Sequence, residues 1–350
     1  MKNYSEHIIC INTPVRDVLN HLTNLPNIES RTLFIIDNSE TLIGTITDGD
    51  IRRGLIKGLD ITSDVSFFMN TDFRYIVDSE NNVEKIKHYR SIGVELIPLV
   101  NTEKKILKIF DLSIVESIIP TSALIMAGGR GERLKPLTDF IPKPLLYIGE
   151  KPIIEHNIDR LIKYGVKEFF ISVKYLADQI IDYFGDGSKK GISIKYIVEN
   201  ESLGTIGALS LIENISNQNI IVMNSDLLTN IDFEDFYNYY LNQDCAMCVA
   251  SIPYSVNIPY AVLETENNEV VSFAEKPKYT YYSNAGVYIM NSDIRNKIPK
   301  QTFYNATDLM ENIIQNKLSI KHYPILGYWL DIGRHDDYNK AQEDIKHIKF

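Results

Sequence analysis

A two-part α/β chain, with a small α+β module ahead of a doubly wound, mostly parallel sheet domain, is predicted by three features of the sequence. After Thr121, continuous apolar runs alternate strictly with segments of helical apolar spacing, the pattern of strand and helix units covered on both sheet faces. Before Pro120, a pair of short β-rich segments joined by a polar turn occurs twice, which marks an internal repeat. At 350 residues the chain is long enough for two domains, and the change of texture places them at residues 1–119 and 120–350.

In the first block Thr32-Leu33-Phe34-Ile35-Ile36 leads through Asp37-Asn38-Ser39-Glu40 to Leu42-Ile43-Gly44-Thr45-Ile46-Thr47, a hairpin-like pair followed by a helix from Asp48. The second block repeats the plan with Leu96-Ile97-Pro98-Leu99-Val100, Asn101-Thr102-Glu103-Lys104 and Ile106 to Asp111. In the second part Ser122 to Ala127 reads as a buried strand, Ile153 to Lys163 as a helix stopped at Gly165, and Glu168 to Val173 as the next strand. A helical stretch to Phe184, a strand Ile192 to Val198, a helix from Thr205 and a strand Ile220 to Met223 follow. A sheet built this way presents ligands to the carboxyl ends of its strands, so the residues just after each strand are the candidates for chemistry.

With 46 acidic against 36 basic side chains the formal net charge is −10, which argues against nucleic acid as a partner. No segment approaches the run of about 18 apolar residues that spans a bilayer, and Met1 to His7 lacks the apolar stretch of a secretion signal. No membrane partner is expected, and the protein is read as cytoplasmic. Cys10, Cys245 and Cys248 are too few for a disulfide framework and fit a reducing compartment. Cys245 and Cys248 have the spacing of half a zinc site, but no second pair exists and Val249 to Ile252 reads as strand, so core packing is the expectation. His156, within a helical stretch, is expected to be structural.

The strand ending at Ala127 runs into Gly128-Gly129-Arg130-Gly131-Glu132-Arg133-Leu134-Lys135-Pro136-Leu137-Thr138. Glycines let the backbone approach a phosphate, adjacent N–H groups point at the anion, and Arg133 adds a positive fork. Leu134 stands where the dinucleotide fingerprint needs its third glycine, and no Gly-Lys-Ser/Thr of a P-loop follows. The continuation is Pro142-Lys143-Pro144-Leu145-Leu146-Tyr147-Ile148, then Lys151-Pro152-Ile153-Ile154-Glu155-His156.

With these residues the chain closely resembles the sugar-1-phosphate nucleotidyltransferases, the nucleotide-sugar pyrophosphorylases, over about residues 121–340, which implies a Rossmann-like catalytic domain. Residue by residue, the resemblance implies that Gly128, Gly129, Gly131 and Arg133 hold a nucleoside triphosphate and that Lys143 neutralises the phosphate under attack. Glu132 departs from the Ser or Thr common there and is expected to point outward. Glu199-Asn200-Glu201-Ser202-Leu203-Gly204-Thr205 corresponds to the nucleobase and sugar segment, with Glu199 at the base edge and Gly204 letting backbone approach the ligand. Asn224-Ser225-Asp226 and Trp329-Leu330-Asp331-Ile332-Gly333 supply two carboxylates, Asp226 and Asp331, for Mg²⁺. Glu275-Lys276-Pro277 and Asn284-Ala285-Gly286 match sugar- and phosphate-contacting segments, through Glu275, Lys276 and Asn284. Taken singly, an Asp after a strand is commonly a helix cap and a Glu-Lys pair is commonly solvated; six segments in family order make the joint case. The implied reaction is in-line nucleotidyl transfer, in which charge neutralisation and alignment do the work and no general base is needed.

A carboxylate only accepts hydrogen bonds. Guanine offers it two adjacent donors, whereas uracil and thymine offer one donor between two carbonyls. GTP is therefore favoured, with CTP, UTP and dTTP as alternatives. The first part resembles a tandem cystathionine-β-synthase (CBS) pair over about residues 3–119, on Gly44-Thr45-Ile46-Thr47-Asp48-Gly49-Asp50-Ile51. That resemblance implies a regulatory nucleotide contacted by Thr47 and Asp50. In the second block Phe110 and Ser113 stand opposite them, so its cleft lacks the acidic ribose acceptor. Packing or dimerisation without a ligand is the other reading, with Asp50 as a helix-start residue. The combination resembles the bacterial glucosamine-1-phosphate guanylyltransferases of legionaminic acid synthesis, which serves cell-surface glycans. It implies a homodimer and glucosamine 1-phosphate as substrate, with a chain ending at Phe350 without the β-helix tail of some relatives. A nucleotide-sensing regulator with an inactive transferase domain is the reading from another class.

Overall fold

The computed structural model describes residues 4–25, 30–78 and 80–348, so Met1 to Asn3 of the N-terminal reading and Phe350 lie outside the described residues. It divides into two compact units, residues 1–119 with 163–165, and residues 120–162 with 166–350.

The first unit contains one plan twice. β1 (Ile8–Cys10), α1 (Val15–Asn24), β2 (Thr32–Ile36) and β3 (Leu42–Thr47) form a three-stranded sheet with β1 parallel and β3 antiparallel to β2, and α2 (Asp48–Ile56) follows. β4 (Ile76–Val77), α3 (Val83–Ser91), β5 (Leu96–Val100) and β6 (Ile106–Asp111) repeat the pairing, parallel then antiparallel. Phe34 and Leu42 of one repeat and Leu96, Val100 and Ile109 of the other share one buried cluster, the burial that paired repeats provide for each other. No helix directly follows β6, so the repeats differ where the first carries Thr47 and Asp50. There Thr47 Oγ1 accepts from the Asp50 N–H at 3.3 Å, and the Asp50 carboxylate accepts from the Thr47 N–H at 2.9 Å and from its hydroxyl at 2.7 Å. This is a capping box that satisfies the first turn of α2, and the Arg53 guanidinium takes the other Asp50 oxygen at 2.6 Å.

In the second unit the chain runs β7 (Thr121–Ala127), the short pair β8 (Tyr147–Ile148) and β9 (Lys151–Pro152), α4 (Ile153–Lys163), β10 (Glu168–Val173), α5 (Ala177–Phe184) and β11 (Ser193–Val198). β12 (Asn219–Asn224), β13 (Leu227–Thr229), α6 (Phe233–Leu241), β14 (Met247–Asn257), β15 (Val262–Glu266), β16 (Glu269–Ala274) and β17 (Lys278–Asn291) continue it. α7 (Ala306–Gln315), β18 (Ile320–Pro324), β19 (Trp329–Asp331) and α8 (His335–Asp344) complete it. The main sheet has the order β11-β10-β7-β12-β17-β14-β18, parallel except where β17 pairs antiparallel with β12 and β14. β10 is buried throughout and β7 nearly so, as strands covered on both faces must be. On one face Leu124, Phe170, Val222 and Met290 pack with Ala306, Leu309 and Ile313 of α7.

A second apolar cluster unites Leu134, Leu146, Ile148, Ile153, Leu228 and Ile332. Leu134 and Ile332 are the immediate sequence neighbours of Arg133 and Asp331, and Leu146 and Leu228 lie within three residues of Lys143 and Asp226. Beyond Ser251, β14 and β17 continue as a two-stranded ribbon, and with β15 and β16 they make an arm whose residues are largely exposed. The helix read from Thr205 is instead a short 3₁₀ turn, Gly207–Leu211. The N–H groups of Ile206 and Gly207 donate to the Tyr304 carbonyl rather than into a helix, and Thr205 Oγ1 accepts from the Ala306 N–H at 2.9 Å. Among the described residues no helix is long and apolar enough to cross a membrane.

Thr47→Ala is expected to lower the stability of the first unit by about 1 kcal/mol, the usual worth of an N-cap, measured as a shift in its urea midpoint.

Candidate functional site

Three strands of the sheet end on one cavity of about 330 Å³, lined among others by Gly128 and Gly129 after β7, Glu199 after β11 and Asp226 after β12. Lys143, Gly204, Phe303 and Asn305 also line it. This is the carboxyl edge, where strand ends leave backbone and short loops free to face a ligand.

The glycine loop is shaped by contact as well as by freedom. Gly131 sits at φ +67°, and a Cβ there would lie 2.9 Å from Lys143 Cβ and 3.1 Å from Thr138 Cγ2, so only glycine lets the loop close against the lysine. Thr138 Oγ1 donates to the Gly131 carbonyl at 2.9 Å, and buried Leu134 anchors the next turn. A Cβ on Gly128 would come within 3.2 Å of Glu199 Oε1. Glu132 is exposed, 3.8 Å from Arg130, and is not among the cavity residues.

The acids meet through a strand pair. β13 lies antiparallel to β19 with Leu227 opposite Asp331, and the Ile332 N–H donates to the Asp226 carbonyl at 3.0 Å. Two segments 105 positions apart in the sequence are thereby joined so that both carboxylates face one neighbourhood. Lys143 forms an ion pair with Asp226. Although Asp331 ends its strand exposed, partial desolvation of its carboxyl, and then the Asp226 and Asp337 carboxylates, push it above its ordinary range, while Lys143 and Arg133 pull the other way. That balance shows five charged groups sharing one field. The pair fits a hard dication: two neighbouring carboxylates gain from a positive ion between them, and Mg²⁺ takes one or two carboxylates with waters and phosphates.

Glu199 is 6% exposed. The Ser172 hydroxyl donates to Oε1 and the Leu203 N–H to Oε2 at 2.9 Å, so the carboxylate is held in one orientation with a further lone pair on each oxygen. Gly204, at φ +76°, is required for a reason the sequence reading did not supply. Its Cβ would stand 2.6 Å from the Tyr304 carbonyl oxygen, so packing against the 303–305 segment, rather than approach to a ligand alone, excludes a side chain.

The structure does not bring every expected residue into this cavity. Arg133 faces a neighbouring surface depression with Arg334 and His335 and reaches the site through its field on Asp331. Glu275 and Lys276 are exposed on the arm, outside the cavity lining. Asn284 spends its side chain internally, donating to Tyr288 Oη at 2.8 Å and accepting from the Gly286 N–H at 2.9 Å. It thereby shapes the turn whose Gly286 abuts Asn224 of the cavity wall. In the first unit a separate cavity of about 340 Å³ is lined by Thr45, Asn70, Arg74 and Glu95 among others. Thr47 and Asp50 are not among its lining residues.

Sequence reasoning missed Ser172, Phe303 and Asn305. Asn305 carries a visible cue, a capping-box residue with Asp308 three positions on, but that cue announces a helix and not a cavity wall. Of the two alternative chemistries, Cys248 is fully buried and its thiol is pushed up to about 12 by burial and Cys245. His156 gives its Nε2 to the Ile148 carbonyl at 2.9 Å. Among the described residues no group of three or more His, Cys, Asp or Glu is placed to hold a metal.

Residues 122–348 match the family described as nucleotidyl transferase. The chain belongs to that family. The nucleotidyl transferase match takes in every residue of the main cavity. The chain is 31% identical over 230 residues to the D-glycero-α-D-manno-heptose 1-phosphate guanylyltransferase of Aneurinibacillus thermoaerophilus, covering 64% of this chain and 98% of that one. It is 30% identical over 224 residues to the mannose-1-phosphate guanyltransferase beta-A of Xenopus laevis, and spans 62% of that protein's length. Among solved structures it resembles a Bacillus anthracis chain assigned as a glucose-1-phosphate thymidylyltransferase and crystallised with sucrose. The TM-score there is 0.54 at 25% identity, over 66% of this chain and 97% of that one.

Gly204→Ala is expected to destabilise the second unit by about 1–3 kcal/mol, because it combines a left-handed backbone with a clash against a carbonyl oxygen. Urea unfolding of the variant measures it.

Proposed function

We propose that this nucleotidyl transferase makes a nucleotide sugar, transferring GMP from GTP to a sugar 1-phosphate, with glucosamine 1-phosphate as the preferred acceptor, and releasing pyrophosphate. The observation that carries the reading is the meeting of Asp226, Asp331 and Lys143 beside the glycine loop in one region of the carboxyl edge. An oxygen of the sugar phosphate forms the new bond to the α-phosphorus, and the bond to the bridging oxygen breaks with its electron pair passing to pyrophosphate. Both partners are anions, so lowering their repulsion and aligning them are the main demands. Asp226 and Asp331 would hold Mg²⁺, which supplies positive charge to the phosphate oxygens when bound. Lys143, released from its pair with Asp226, would neutralise the α-phosphate. Gly128 and Gly129 leave backbone free beside the nucleotide, and the fixed Glu199 carboxylate would accept from the two adjacent donors of guanine. The guanylyltransferases among its relatives support the base; the amino sugar rests on the resemblance of the whole chain.

In the first unit we take the paired repeats as a regulatory module for a nucleotide and as the contact of a homodimer. Thr47 and Asp50, which cap the first turn of α2, keep acceptor capacity on their oxygens and are the residues we propose for that nucleotide.

Asp226→Asn is expected to lower pyrophosphate release by at least about a thousandfold while leaving the melting temperature near that of the parent chain. Near-normal turnover at saturating Mg²⁺ would remove Asp226 from the site. A matrix of GTP, CTP, UTP and dTTP against glucosamine, mannose and glucose 1-phosphates decides the substrates. Release with no pair would favour the nucleotide sensor.

The raised Asp331 adds a pH dependence. Its proton competes with the dication at a higher pH than a solvated carboxylate's would, so as pH is lowered apparent Mg²⁺ affinity should begin to fall earlier than an ordinary carboxylate pair would allow. Asp331→Asn should weaken binding and flatten that fall, as read by titration of Mg²⁺ at each pH.

A further inference from the structure

Beside the carboxylate pair a shallow, open surface depression of about 350 Å³ is lined by the exposed residues Arg133, Arg334, His335 and Asp336. Its two arginines come from segments held in one place. Leu134, next to Arg133, and Ile332, two residues before Arg334, are both fully buried in the same apolar cluster. Among the described residues neither guanidinium has a carboxylate within ion-pair distance. The Asp337 carboxylate accepts from the Arg334 backbone N–H at 3.0 Å, and the His335 ring is engaged with the Lys135 carbonyl at 2.8 Å. Asp336 is the one acid in the lining. Two guanidinium forks that face a common space repel one another, and a polyanion between them turns that cost into attraction. Their planar donor pairs match phosphate oxygens two at a time. Arg133 also acts on Asp331, so this space adjoins the place where the α-phosphate would be held.

We propose that Arg334 is a substrate-binding residue that joins Arg133 in gripping the β- and γ-phosphates of the nucleoside triphosphate and the pyrophosphate they become. The inference rests on the nucleotidyl transfer reading for its substrate. Arg334 takes no part in bond making; its two-point hold keeps the leaving group in line behind the α-phosphorus and accepts the charge that arrives on the bridging oxygen. A phosphate of the sugar substrate has no reason to reach it.

The test uses the full chain with Arg334→Ala and Arg334→Lys, both checked for folding by circular dichroism. Calorimetric titration with magnesium pyrophosphate is expected to show a dissociation constant about tenfold higher for Arg334→Ala, the usual worth of a charged hydrogen bond, with partial recovery in Arg334→Lys. The KM for GTP should rise similarly and the KM for the sugar 1-phosphate should stay unchanged. Unaltered pyrophosphate binding in a folded Arg334→Ala chain would overturn the proposal, as would an equal rise in the sugar phosphate KM. A parent chain that binds pyrophosphate through Arg334 but turns over no nucleotide and sugar pair would instead overturn the transfer reading and leave this anion site standing.

Discussion

The antiparallel pairing of β13 with β19 is the constraint on which the site depends. It sets Leu227 opposite Asp331, and so fixes the distance between two acids that the chain carries far apart. A one-residue slip in that register would turn Asp331 to the other face of its strand. The apolar cluster of Leu134, Leu146, Leu228 and Ile332 resists such a slip, because the same buried side chains that fill it sit beside the charged ones. Hydrophobic burial, which has no direction of its own, here positions groups whose electrostatics are directional.

The ion pair between Lys143 and Asp226 sets a cation against the acid pair. Charge is thus kept near balance, which limits the desolvation cost of holding an unpaired charge at a partly covered site. Glu199 is managed differently: hydroxyl and backbone donors hold it in one orientation.

Much of this was legible in the chain. The strands Thr32–Ile36, Leu42–Thr47, Ile106–Asp111 and Glu168–Val173 and the helix Ile153–Lys163 coincide with their apolar runs, because local patterning and burial agree there. The glycine turn and the acids after strands were visible because their spacing is local. What escaped depends on partners distant in sequence. The helix read at Thr205 gives way because Tyr304 captures its backbone donors. Gly204 owes its missing side chain to the same residue. The segment carrying Glu275 and Lys276 matches a family pattern, yet its position on an exposed arm outside the cavity is a tertiary fact that no short window contains. Thr47 and Asp50 fit two roles at the level of residue type, and only geometry shows them satisfying the head of a helix.

The lacing of the 203–207 stretch to the 302–306 stretch, with Thr205 and Ala306 bonded across 101 positions, has a consequence for the newborn protein. A ribosome delivers the glycine turn long before the strands and loops that wall its cavity, and distant pairings of this kind close slowly. The cavity wall of the emerging chain must therefore wait, incomplete, until the 302–306 stretch has left the exit tunnel.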